Sequence, residues 1–272
     1  ILLSSLSVVI FYNVSMAITN DARASILTAF ITAIYPHFIF YSVAQLSETL
    51  FIFLFYSAIW LLYQKRFFFG SVLLVLCILT RPSTDLIAPV LIFVFSLGVH
   101  KLGCKSTLIN MLRYLGVYLT LMSPWWVHNE LKYDTFVRLS LGDGHVLYSG
   151  NNQHNKTGGG VATGGSHDDL DTTIFDHIKD PVARNNAKKQ AAIAFIKNNP
   201  EDFLVLAVKK FIRFWRLWPF APEYQKLHYI LVSLLSYGGI LALAIISLAR
   251  THKTTISKTS PLIIYTIYLC AI

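Results

Sequence analysis

Glu48 is the residue with the clearest claim to chemistry, a carboxylate set in an otherwise apolar run from Tyr35 to Phe51. A carboxylate at the centre of a bilayer costs about 2.5–3.5 kcal/mol on insertion scales, so Glu48 must sit at a water boundary or face a polar site inside the protein. Ser47-Glu48 is equally a good helix start, since a small polar residue and an acid both suit the positive end of a helix. At the end of another apolar run, Arg81 stands four residues before Asp85. Its guanidinium is always charged and offers parallel donors to an oxyanion, or it can pair with Asp85 and hold the turn at Pro82.

A third set of polar groups lies in the middle of the chain. His145, His154, His167, Asp168, Asp169, Asp171 and His177 carry imidazole and carboxylate groups that could hold a divalent metal ion. Their spacing matches no metal-site pattern, and solvated loop residues account for them equally. Asn151 and Asn152 follow Gly150 and are either substrate-binding amides for sugar hydroxyls or turn formers. The glycine runs at 158–160 and 164–165 lack the strand, helix and lysine of a phosphate-binding loop and read as a flap. Cys77, Cys104 and Cys270 have neither metal-ligand nor disulfide-framework spacing.

Membrane helices are the elements available to position these groups. Apolar residues make up 54% of the chain and charged residues only 14%, well below the charge of a soluble domain. The mean hydropathy is +0.54, and the fold class expected is an all-α polytopic membrane protein. Spans are expected at 1–18, 24–43, 47–63, 67–81, 84–99, 107–123 and 227–249, with 260–272 beginning another. Three regions follow: transmembrane helices over 1–124, an extracytoplasmic segment over 125–226, and C-terminal transmembrane helices over 227–272. Lys65 and Arg66, then Lys101, Lys105 and Arg113, then Arg250, Lys253 and Lys258 fall on one side if the spans alternate, which makes that side cytoplasmic. Glu48 and Arg81 then share the opposite face.

Within 125–226, residues 142–171 show no apolar periodicity and are expected to form a loop. A helix is expected over 187–198 and a second over 200–217, the latter with Asn199 as N-cap, Pro200 at its first position and two first-turn acids. In that second helix Phe203, Leu206, Ala207, Phe211, Phe214 and Trp218 fall on one side, with Lys209, Lys210, Arg213 and Arg216 elsewhere, as in a helix lying in the membrane interface. The net charge of +9 points to anionic membrane lipids as partners rather than nucleic acid.

Several segments in order resemble one family. They are Tyr35-Pro36 through Leu46-Ser47-Glu48-Thr49-Leu50-Phe51, Leu79-Thr80-Arg81-Pro82, Ser123-Pro124-Trp125-Trp126-Val127-His128-Asn129, Gly150-Asn151-Asn152, and Phe195 through Pro200 with the basic aromatic helix behind it. Together, over about residues 30–220, they resemble bacterial GT-C glycosyltransferases of the protein-mannosyltransferase and aminoarabinose-transferase type, which are glycosyltransferase family 39-like. The resemblance implies a GT-C-like helical bundle in the bacterial inner (plasma) membrane. It also implies a polyprenyl-phosphate-linked sugar as donor and an envelope lipid, glycan or protein as acceptor. The family's catalytic acid lies in its first extracytoplasmic loop, and no segment here matches that loop, so the catalytic residue stays unknown. With an opening at Ile1 inside an apolar run, the sequence reads as a fragment lacking that part. Arg81 is the expected donor phosphate-binding residue and Glu48 the active-site candidate; Asn151 and Asn152 are the substrate-binding candidates. A transporter or flippase of lipid-linked glycans is the alternative, and it would show broken helices at the membrane midplane.

Overall fold

The computed structural model describes residues 1–44, 46–159, 172–219, 224–250 and 253–271, and all regular structure among them is helical. The chain divides into two compact units, residues 1–131 with 242–272 and residues 132–241. These bounds differ from the sequence division at 124 and 226.

The first unit begins with α1 (Leu2–Thr19) and α2 (Ala22–Ile34). Asn20 takes a left-handed conformation and Asp21 caps α2 by accepting from the Arg23 and Ala24 amides, so a two-residue turn folds the two helices together. The expected span at 24–43 is broken: α2 and α3 (Pro36–Val43) meet at 50°. Proline forces the preceding Tyr35 out of the helical region, and Tyr35 adopts φ −67°, ψ 116°. α4 (Ser47–Tyr63) and α5 (Phe67–Thr80) then form a tight antiparallel pair. Gly70 permits the close approach, because a Cβ there would lie 2.8 Å from Leu62 Cδ2.

A helical stretch over Pro82–Val99 follows, containing α6 (Ile87–Phe93) and ending in a π-helical turn at Val94–Val99. α7 (Cys104–Tyr133) is one 30-residue helix with Pro124 inside it. The expected span at 107–123 is therefore part of a longer helix that runs past the proposed boundary at 125. Tyr118 and Trp126, two turns apart, pack with ring centroids 5.8 Å apart and tie the segments on either side of the proline. The C-terminal α13 (Lys253–Ala271) contains the run expected from 260 and begins seven residues before it.

In the second unit, the expected loop at 142–171 is corrected: its first part is α8 (Asp143–Gly150). Local periodicity could not reveal α8 because tertiary contacts hold it. Tyr148 packs edge-on against Phe175 at 5.2 Å and beside Ala192 of α9 (Pro181–Asn198). α9 starts six residues earlier than expected, where Asp180 caps the Val182 and Ala183 amides and Pro181 occupies the first position. α10 (Pro200–Phe214) ends three residues before the expected 217; Asn199 is its N-cap residue as expected, but its side chain donates to Phe195 O rather than accepting from a first-turn amide. Its exposed apolar residues are Leu204, Val205, Val208, Phe211, Ile212 and Phe214; of the expected apolar side, Phe211 and Phe214 are exposed, Phe203 and Ala207 half-buried and Leu206 buried. Its lysines are engaged within the unit: Lys209 donates to Lys156 O and Lys210 to Asn151 Oδ1, both at 2.8 Å. α11 (Leu227–Ser233) leads through a π-helical turn at Leu234–Gly238 into α12 (Gly239–Arg250).

Among the described residues three helices are long and apolar enough to cross a membrane: Leu2–Thr19, Pro82–Val99 and Leu227–Ala249, with the bent α2–α3 pair as a fourth if it is one span. The windows in the first and last are only 11% and 6% buried within the protein, so their apolar surface requires a lipid surrounding rather than water. α4 and α5 are apolar but shorter, at 17 and 14 residues.

A candidate site at one end of the helical unit

Helix lengths place the site. Glu48 lies fifteen residues from the end of α4 at Tyr63, and Arg81 lies fourteen beyond the start of α5 at Phe67. At 1.5 Å per residue both stand about 21–23 Å from the connecting turn, so the antiparallel pairing brings them level. Arg81 Nη2 donates to Glu48 Oε1 in an ion pair. Glu48 sits in the first turn of α4, where its charge also complements the helix dipole, and Arg81 is the extended residue that ends α5. The Arg81 carbon Cζ lies 5.9 Å from the centre of the Phe51 ring. The Arg81 Nε atom is buried and has no hydrogen-bond partner.

Arg81 thus pairs with Glu48, and Asp85 accepts from Tyr118 Oη at 3.0 Å while almost fully buried. Asp85 follows the 3-10 turn Pro82–Thr84, which Thr84 and Asp85 close by donating to Arg81 O and Pro82 O. Tyr268 on α13 donates to Ser83 O, and Tyr265, one turn earlier, stacks on Phe55 at 4.2 Å. Electrostatically, Tyr265 lies within reach of Arg81 and Tyr268 within reach of Asp85. Two acids, one arginine and a tyrosine belt therefore share this end. Sequence reasoning missed Tyr118 and Tyr268. Tyr118, four residues after Tyr114, carried no sign of which carboxylate it would meet 33 positions away.

The α3–α4 connection borders the same end. Thr49 Oγ1 donates to Tyr41 O at 3.0 Å, beside a crevice lined by Ser4, Ser7, Phe38, Tyr41, Thr49 and Ile52. It has room for about one water molecule and is too small for a sugar. His37 stacks on Tyr35 at 5.1 Å, and its buried Nδ1 has no hydrogen-bond partner.

Basic residues collect at the opposite end of the unit. Tyr63 Oη donates to Lys258 O, Ser257 Oγ donates to Gly98 O at 2.9 Å, and the His100 ring meets Leu62 O at 2.7 Å. Lys65, Arg66, Lys101 and Lys258 all belong to these junctions.

Asn151 and Asn152 lie in the second unit and are engaged there as structural groups. Asn151 Nδ2 donates to Leu147 O, and Asn152 Nδ2 donates to Tyr148 O and Ser149 O, which satisfies carbonyls at the end of α8. Asn152 Oδ1 accepts from the His154 amide. Asn155 is a further hub, donating to Ser149 O, Gly150 O and Gly159 O and accepting from the Thr157 and Gly158 amides. All three asparagines are buried, and the outward acceptor of Asn151 is taken by Lys210. Burial holds the Lys210 ammonium below the usual lysine range. The geometry is that of the turn, the second of the two roles the sequence left open.

His145, His154 and His177 do not converge with other ligands: no group of three or more His, Cys, Asp or Glu side chains suited to a metal ion occurs among the described residues. His167, Asp168, Asp169 and Asp171 lie outside those residues, as do Gly160, Gly164 and Gly165 of the glycine runs.

Fold and site together define a class: a membrane-associated protein, helical in all regular structure of its described residues, with an acidic–arginine–tyrosine cluster at one end of its first unit. No family model, curated protein or solved structure matches the chain.

Proposed function

We propose that the chain is a GT-C-type glycosyltransferase of the bacterial inner membrane, transferring a sugar from a polyprenyl-phosphate-linked donor to an envelope lipid, glycan or protein. The observation carrying this reading is the Glu48–Arg81 pair, two charges held at helix ends in an otherwise apolar bundle. Arg81 receives the donor phosphate. As the anomeric carbon leaves the phosphate oxygen, negative charge grows on that oxygen and the guanidinium stabilises it. Glu48 orients a neighbouring donor group. The acceptor hydroxyl also needs a base, a role that no described residue is assigned.

The basic end, with Lys65, Arg66 and Lys101, faces the cytoplasm in this reading, and the Glu48–Arg81 end and residues 125–226 face outward. The exposed apolar residues of α10 then lie in the headgroup boundary. A polytopic arrangement is supported by the three spanning helices and the bent pair.

The test is transfer from a polyprenyl-phosphate sugar by the chain in proteoliposomes. Arg81→Lys keeps the charge but loses the planar fork and should lower the rate by tenfold or more, about the loss of one charge-assisted hydrogen bond. Glu48→Gln should lower it with protein level unchanged. Parental rates in both variants would remove the site. The 50° break between α2 and α3 favours the second reading, a flippase of lipid-linked glycans. Translocation of the labelled lipid without any sugar transfer would establish that reading instead.

A further inference from the structure

Arg81 is not idle in this structure, because one of its terminal nitrogens already holds Glu48. The same guanidinium is only half used, since its Nε is buried without a hydrogen-bond partner. A phosphate placing two oxygens along the Nε–Nη edge would satisfy that nitrogen and claim the one now given to Glu48. The displaced carboxylate has somewhere to go. Glu48 sits in the first turn of α4, whose N-cap residue Leu46 supplies no side-chain acceptor, and the positive end of the helix dipole there stabilises the acid.

We propose that Glu48 is the resident counter-ion of Arg81 and that an incoming phosphate group exchanges with it. The proposal rests on the glycosyltransferase reading and adds a consequence that reading does not contain. Glu48 keeps the arginine neutralised at the end of an apolar bundle while the site is vacant, and competes with phosphate for it. The exchange is a swap of ion-pair partners with no covalent step. It predicts opposite effects of the two partners on binding: removing the acid strengthens phosphate binding, and removing the arginine weakens it.

The experiment measures binding of polyprenyl phosphate to the full chain in detergent micelles, for the parent, Glu48→Gln and Arg81→Lys, with thermal melting of each as a check on folding. The side chains are 41% and 25% exposed, so solvent screening keeps the competing pair weak. The expected gain for Glu48→Gln is about fivefold. Arg81→Lys should bind several-fold more weakly. Inorganic phosphate and phosphatidylglycerol serve as parallel ligands. A gain with both polyprenyl phosphate and inorganic phosphate shows that the phosphate group alone drives the exchange, and a gain confined to polyprenyl phosphate shows that the lipid chain is needed to deliver it.

Weaker or unchanged binding by Glu48→Gln, with Arg81→Lys still impaired, would overturn the exchange and leave Arg81 as the phosphate residue. A gain seen only with phosphatidylglycerol would assign Arg81 to bulk lipid and overturn it too. Unchanged binding by both variants would remove the exchange and the transfer reading together.

Discussion

Replacing Gly144 by alanine should detach α8 from α9. An ideal Cβ at this position falls 2.0 Å from the Asn185 carbonyl oxygen and 2.8 Å from its Oδ1, so the helices must separate by more than 1 Å to restore ordinary contact. That shift breaks one buried and one half-buried link, Gly144 N–H to Asn185 Oδ1 at 2.9 Å and Asn185 Nδ2 to Asp143 Oδ1 at 2.6 Å. At about 1 kcal/mol each, more for the bond to a carboxylate, the loss is about 2–3 kcal/mol. The Lys189–Asp143 pair is left out of that figure because its side chains are 48% and 53% exposed. An eight-residue helix has no stability of its own, so α8 should open about 30- to 150-fold more often. Hydrogen exchange followed by mass spectrometry over residues 143–155 reads this directly. Gly142→Ala is the control: its nearest neighbour is Ser140 Oγ at 3.7 Å, and it should exchange like the parent. Parental protection in Gly144→Ala would refute the contact between α8 and α9.

The same clasp should respond to pH. Burial opposes ionisation of Asp143, but hydrogen bonds from Asn185 and Lys189, the lysine charge and the Gly144 amide outweigh it and hold the carboxyl below its ordinary value of 3.8. A depressed carboxylate contributes stability above its unfolded value and loses it as pH falls through the folded one, so α8 protection should drop below about pH 4, and less so in Asp143→Asn. Asn155→Ala removes five hydrogen bonds to backbone groups and should make the 150–159 segment several-fold more sensitive to protease. Tyr118→Phe takes a hydroxyl donor from buried Asp85 and should destabilise the chain by about 1–3 kcal/mol, read as a lower melting temperature in micelles. For topology, Gln153→Cys should react with an impermeant thiol reagent in intact cells, and exposed Cys104 only after permeabilisation. The reverse pattern would invert the proposed orientation.

Local chemistry was legible where it dominated. Helix starts and stops at Ser47, Phe67 and Pro200 followed apolar runs and proline, and the near-equal distances of Glu48 and Arg81 from the turn at 64–66 were present in the residue count. Asp180-Pro181 carried the same start signal as Asn199-Pro200, and α9 could have been placed correctly by it. α8 was illegible because its stability comes from Phe175, Asn185 and Ala192, distant partners that leave no periodicity in a glycine-rich stretch. Pro124 misled for the opposite reason: it is a strong local breaker, overridden inside a 30-residue helix. For α10 the helix itself was legible, but that Lys210 would find Asn151, 59 positions away, was not.

α13 reaches both ends of the first unit, and that has a mechanical consequence. It holds Lys258 O against Tyr63 and Ser257 against Gly98 at one end, and Tyr268 against Ser83 at the other. Ten residues separate Lys258 from Tyr268, about 15 Å along the axis. Sliding α13 by a single turn, about 5.4 Å, would sever all three links at once. The helix therefore acts as a tie rod, coupling the basic end of the unit to the end that carries Glu48 and Arg81.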